Sequence, residues 1–233
     1  MRRLLAAAIA TPALLAACGG GGSDALDSVG QQLVTVAAAK AWTSMVGDAG
    51  TWEATGTDSA GRPHKGTFSS TRRANTLDPK TGNTVQSTVF DVKLANDTET
   101  EQFNWNFLHE PNTGRIVNGG TANGKCAEVG GFALPGNTAR VDDEGSLAVV
   151  TVYEQCLTGA PMIANFTVSW SIGWSGFMPM LCQRYTLWSM PGTRLATFKV
   201  CVDMSPGGVL GLGSKSSRME FQLTNGAAVQ LGG

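Results

Sequence analysis

Charge is scarce in this chain of 233 residues: Asp, Glu, Lys and Arg make up 15% of it, against a usual ~25%. That scarcity excludes a charge-rich disordered chain and a long coiled coil. Neither sign of charge dominates, with 17 basic and 18 acidic residues and a formal net charge of −1. No cationic field is therefore present to hold a phosphate backbone, and nucleic acid is not an expected partner. Only two histidines occur, too few for a three-histidine metal site. The apolar run at residues 4–17 stops short of the roughly 20 residues that a spanning helix needs. What is plentiful is apolar residues, at 42%, and glycine, at 30 residues. A domain near 200 residues buries well over half of its unfolded surface, so core size is not a limit.

The chain begins Met1-Arg2-Arg3, continues through that apolar run, and reaches Cys18 and four glycines. A charged start and a short apolar stretch read as an export signal. Leu15-Ala16-Ala17-Cys18 resembles the lipobox of bacterial lipoproteins, in which the cysteine is acylated and becomes the first residue of the mature chain. The resemblance implies lipid on Cys18. One acyl chain holds only marginally, at ~0.8 kcal/mol per buried CH₂, whereas this family attaches three. In Gram-negative members an Asp after the cysteine favours the inner membrane; Gly19 stands here, which implies the outer membrane, facing the periplasm. The expected organisation is a signal peptide at 1–17, a lipid-anchored flexible tether at 18–30, and one β domain with a short leading helix at 31–233. The segment from Cys201 through 208–211 to Phe221-Gln222-Leu223 is also similar to the closing segment of uncharacterised Gly- and Thr-rich Gram-negative lipoproteins, which implies no activity.

Setting Cys18 aside leaves Cys126, Cys156, Cys182 and Cys201, an even number for a compartment in which disulfides persist. Of three possible pairings, Cys126 with Cys156 and Cys182 with Cys201 is favoured, because the second pair falls on a hairpin. Counting outward from a turn at Pro191-Gly192 sets Cys182 opposite Cys201, Tyr185 opposite Phe198 and Leu187 opposite Ala196. Tyr185, Leu187, Ala196, Phe198 and Val200 then share a core face, and Arg184, Thr186, Thr197 and Lys199 share the other with the cysteines. A two-residue loop would put the cysteines at a hydrogen-bonded site, where side chains stand farther apart, so a bulge or a longer loop is expected. Zinc is disfavoured, since no C-x₂-C knuckle occurs.

A short helix is predicted between Gln31 and Val46 from Leu33, Val36, Ala37, Ala41 and Met45. Beyond Thr51 the period is two. Phe90, Val92 and Leu94 alternate with polar residues, as do Phe103, Trp105 and Phe107, then Phe166, Val168, Trp170, Ile172 and Trp174, and finally Met219, Phe221 and Leu223. Turn residues fall between these runs, at 58–63, 81–83, 111–114, 123–124 and 205–208. The expected fold is all-β, an antiparallel sandwich or barrel of about ten strands with one short N-terminal helix. Alternation is the same in a sandwich and a barrel, so both stay open.

Signals for chemistry are weak. Residues 119–126 come within one position of a P-loop, with Cys126 where Ser or Thr should meet Mg²⁺, so a turn leading into a disulfide-bearing strand is the better reading. His64 and His109 have no partner in sequence and are expected at the surface. Gly173-Trp174-Ser175-Gly176 lacks the spacing of a nucleophile elbow. Asp142-Asp143-Glu144-Gly145 lacks the alternate-position spacing of a calcium loop. Five of six tryptophans, Trp42, Trp52, Trp105, Trp170 and Trp174, are expected to pack inward. Trp188 falls on a polar face with Arg184, and these two are the candidate ligand surface. The expected function is a lipid-anchored, non-catalytic binding or structural module without cofactor or metal, held to the membrane through Cys18. The alternatives are a lipocalin-like carrier of a small apolar ligand, marked by an interior cavity, and an exported enzyme, marked by a histidine beside a carboxylate in a cleft.

Overall fold

The computed structural model describes residues 34–232 apart from 79–80, 120, 123–124, 156, 158, 177, 191, 212–216 and 223–227. Cys18, the tether, Leu33, Cys156 and Leu223 lie outside the described residues. Among the described residues, a short strand β1 (Thr35–Val36) and one helix, α1 (Ala38–Gly47), are followed by strands. They run β2 (Gly50–Asp58), β3 (Pro63–Leu77), β4 (Thr84–Ala95), β5 (Thr100–His109), β6 (Ile116–Gly119), β7 (Thr121–Ala122), β8 (Lys125–Phe132) and β9 (Ala139–Arg140). Then come β10 (Glu144–Tyr153), β11 (Met162–Ser175), β12 (Met178–Ser189), β13 (Arg194–Asp203), β14 (Ser217–Gln222) and β15 (Ala228–Gly232). These 15 strands exceed the ten expected because β1, β6, β7 and β9 are two to four residues long, too short for alternation to reveal them.

Thirteen strands form one antiparallel sheet in the order β6-β5-β4-β3-β2-β15-β14-β13-β12-β11-β10-β8-β7. The pairing of β15 with β2 ties the C-terminal strand to the first long one and lets the sheet curl round. Its two ends then meet. A β-carbon on Gly119 of β6 would lie 2.4 Å from the carbonyl oxygen of Ala127 in β8, an approach only glycine permits. The result is a nearly closed barrel, and it decides between the two architectures that alternation left open.

The inward positions are those the period of two predicts: Phe90, Val92, Leu94, Trp105, Phe107, Val168, Ile172, Met219 and Phe221 are all buried. Rings link the walls in a chain, with Trp52 to Phe68 at 5.4 Å, Phe68 to Phe90 at 5.4 Å, Phe90 to Trp105 at 5.8 Å and Trp105 to Tyr185 at 4.5 Å. Since β5 and β12 are not neighbours in the sheet, the last contact joins opposite walls. The barrel is therefore filled across much of its width by side chains.

Helix α1 plugs one end. It starts later than its apolar pattern suggests, because Val36 is recruited into β1, opposite Ala139, and Ala37 stands just outside the first turn. Its buried face is Ala38, Ala41, Trp42, Met45 and Val46. The last four carbonyls of a helix have no intrahelical donor, and here each is supplied. Ser44 O accepts from the Asp48 N–H at 2.8 Å, Met45 O from the Ser70 hydroxyl at 2.9 Å, Val46 O from the Thr88 hydroxyl at 2.6 Å and Gly47 O from Arg72 Nη1 at 3.4 Å. Trp42 Nε1 donates to Gly114 O at 2.9 Å. Gly114 has φ 66, and a β-carbon there would meet Val46 Cγ2 at 2.9 Å, so both its turn and the plug exclude a side chain.

The β12–β13 hairpin keeps the expected register: Cys182 faces Cys201, Tyr185 faces Phe198 and Leu187 faces Ala196. The anticipated bulge lies between Leu187 and Trp188, where the count slips by one and Trp188 pairs with Arg194. Cys182 and Cys201 form a disulfide with Cα atoms 3.9 Å apart, the close spacing of a non-hydrogen-bonded pair. Cys126 is also disulfide-bonded; Cys156, its expected partner, lies outside the described residues.

Candidate functional site

Opposite the plug, the interior is not completely filled. A cavity of about 280 Å³ lies between β5, β8 and the wall made by β10 to β13. Phe103, Trp105, Phe166, Tyr185 and Phe198 supply its rings, and Ala127, Val152 and Leu187 its aliphatic surface. Each is the inward residue of its strand, so the sheet alternation that builds the core also builds the site. Asn106 and Cys126 also line it, and the exposed residues Gln102, Asn104 and Lys125 bring the cavity to the surface. Its opening lies beside the seam, where β6 covers β5 only from Phe107 to His109 and leaves residues 102–106 with no ladder partner on that edge among the described residues.

Two polar groups stand among the rings. Burial pushes the Tyr185 hydroxyl well above its usual pKa, so it stays protonated and donates to Gln183 Oε1. Trp105 is 8% exposed and its indole Nε1 is buried without any acceptor. An unpaired buried donor costs about 1–3 kcal/mol relative to a paired one. Trp105 was legible in the sequence as an inward residue of an alternating strand; that its N–H would find no partner was not.

The predicted surface pair lies on the outside of the barrel. Trp188, at 36% exposure, and Arg184 share a groove with Thr186, Arg194, Thr197 and Lys199 on one side and Glu220 on the other. Lys199 Nζ stands 3.7 Å from Glu220 Oε1, Arg194 is the cross-strand partner of Trp188, and Arg184 lines the same groove farther along β12. Of the other tryptophans, Trp42 and Trp52 are fully buried, Trp105 nearly so, and Trp170 and Trp174 half-buried.

Both histidines depart from expectation, for they are buried rather than on the surface. His109 is the last inward residue of β5 and sits beneath the plug, with Nε2 2.8 Å from Thr88 Oγ1 and Nδ1 3.2 Å from Glu110 O. Burial holds its pKa below the usual value, helped by Arg72 and opposed by the carbonyls of Glu110 and Val46. His64 opens β3 and places Nε2 3.4 Å from Asp58 Oδ2. Asp58 is primarily a turn former: Oδ1 accepts from the N–H groups of Ala60 and Arg62, each at 2.9 Å, and Oδ2 from Arg62 Nε at 2.7 Å. Those bonds, the Arg62 N–H foremost, hold its carboxyl at about 2. A carboxylate does stand beside a histidine, as the enzyme alternative requires, and His64 borders a separate cleft with Thr55, Lys65 and Asn96, while neither residue lines the aromatic cavity.

The remaining motifs resolve into structure. The glycine-rich stretch at 119–126 leads into strand β8, not into the helix that a phosphate loop requires. In the acidic turn, Asp142 has φ 70 and Asp143 Oδ2 accepts the Arg140 N–H at 2.7 Å. The chain matches no protein-family profile, and no curated protein or solved structure is similar to it. Any functional reading therefore stands on the residues themselves.

Proposed function

We propose that this chain is a lipid-anchored protein of the bacterial cell envelope, held at the outer membrane through Cys18 and facing the periplasm. Its barrel binds a small apolar ligand and does no chemistry on it. The observation that carries the binding reading is the ring-lined cavity at the unplugged end. At about 280 Å³ it sits near the lower edge of the 300–1,000 Å³ usual for ligand sites, which suits one compact molecule better than a long acyl chain. Two findings support binding without catalysis: neither histidine lines the cavity, and Cys126, which does, is held in a disulfide. The lipobox-like residues 15–18 support the anchor.

The binding test uses the full chain with Cys18→Ser, which keeps acyl chains and detergent out of the assay. The neutral fluorophore 1-aminoanthracene should bind saturably at one site per chain. Ala127→Trp, which fills the cavity from β8, should abolish binding, and Trp188→Ala on the outer groove should leave it unchanged. Unsaturable uptake, or binding indifferent to Ala127→Trp, overturns the reading. For the anchor, intact-mass measurement of the membrane fraction should show three acyl chains on a chain starting at Cys18; a lipid-free product cut elsewhere refutes it.

A further inference from the structure

Trp105, whose ring lines the cavity, carries a buried N–H that no acceptor meets. Trp105 contacts Tyr185 at 4.5 Å, Phe198 at 5.3 Å and Phe166 at 6.4 Å between ring centroids, so it is packed among rings. Tyr185, packed closest to it among these rings, spends its hydroxyl on Gln183, toward the plug. At the plugged end every helix-terminal carbonyl has a donor, and Trp42 and Trp52, the other fully buried indoles, donate to Gly114 O and Gly211 O at 2.9 Å each. Trp105 alone among these three is left unpaired, and its ring lines the aromatic cavity.

Resting on the binding reading above, we propose that the ligand is a compact, planar, uncharged molecule carrying a carbonyl-type oxygen, which accepts the Trp105 Nε1–H while its ring stacks among Phe103, Phe166 and Phe198. Flat rings are favoured because the walls are aromatic and gain most from stacked or edge contacts. A carboxylate is disfavoured at that depth, since an ionised group buried among rings and met by one neutral donor is left largely unsolvated. The oxygen is a specificity element: a ligand without it fills the same space but leaves the indole unpaired.

The test compares two guests of one frame, indane and 1-indanone, as competitors of 1-aminoanthracene on the Cys18→Ser chain. 1-Indanone should bind about tenfold more tightly than indane, the difference one hydrogen bond to a buried donor makes. Trp105→Phe should reduce that preference to within about twofold, whatever it does to the affinity of indane itself. A second readout needs no substitution: in a ¹⁵N-labelled chain, one of the six tryptophan indole N–H resonances should move downfield with 1-indanone and stay in place with indane. If both guests displace the fluorophore equally and no indole resonance responds selectively, the ligand-class proposal is wrong and the binding reading survives. If neither guest nor the fluorophore binds, the binding reading itself fails.

Discussion

The two ends of this barrel are made from the same strands and finished in opposite ways. At the plugged end the inward residues are Ser70, Thr88, Gln183 and His109, polar groups that would be costly to bury alone. Helix α1 brings its unpaired carbonyls to Ser70 and Thr88, His109 bonds to Thr88 and the Glu110 carbonyl, and Gln183 accepts from Tyr185. At the open end the inward residues of β5 and β12 are Phe103, Trp105, Tyr185 and Leu187, which line the cavity. One end is closed by mutual satisfaction of donors and acceptors; the other keeps a cavity and an unpaired N–H. Space and unmet bonding capacity at one end suit ligand binding, and complete bonding at the other suits stability.

The largest test of that contrast is Trp42→Ala. It removes the centre of the plug and the donor to Gly114 O, and should cost about 3–5 kcal/mol in urea unfolding. A loss below about 1 kcal/mol would show that the helix is an ornament on a self-sufficient barrel.

Leu181 and Leu187 lie on the same inward face of β12, the first fully buried toward the plug and the second half-buried at the cavity. Leu181→Ala should cost about 3 kcal/mol, whereas Leu187→Ala, at the edge of existing empty space, should cost about 1 kcal/mol. Equal losses would mean that the two ends pack alike.

Acid sharpens the contrast further. Because the fold lowers the pKa of His109, the unfolded chain binds the proton more readily. The stabilisation from its neutral form is full above pH 6.5 and is lost as pH falls below that value, by at most about 1.4 kcal/mol per pH unit. His109→Gln should flatten urea midpoints between pH 7 and 5. A wild-type midpoint that rises over that interval would instead place a charged His109 under the plug. A separate loss should follow as pH falls from 3.8 toward 2, where Asp58 gives up the bonds that hold the turn at 58–62.

Much of the fold could be read from residue order alone. Alternation named the inward residues of β4, β5, β11 and β14, and counting from Pro191-Gly192 named the disulfide partner of Cys182, because side-chain direction in a strand has a period of two and a bridge demands facing positions. Trp188 and Arg184 were placed together for the same reason. The histidines were misplaced because burial of a polar residue depends on what lies across the interior. Thr88 and the end of the helix meet His109 from 21 residues away or more, and no local pattern reports them.

By itself the sequence determined the strand faces, the Cys182–Cys201 pairing and the outward setting of Trp188, all of which follow from local geometry repeated along the chain. Only the tertiary structure decided that the sheet curls until Gly119 meets Ala127, that the helix fills one end, and that Trp105 is left without an acceptor at the other. Those outcomes depend on groups distant in the chain coming within bonding or contact distance, and closure of the sheet is what brings them there.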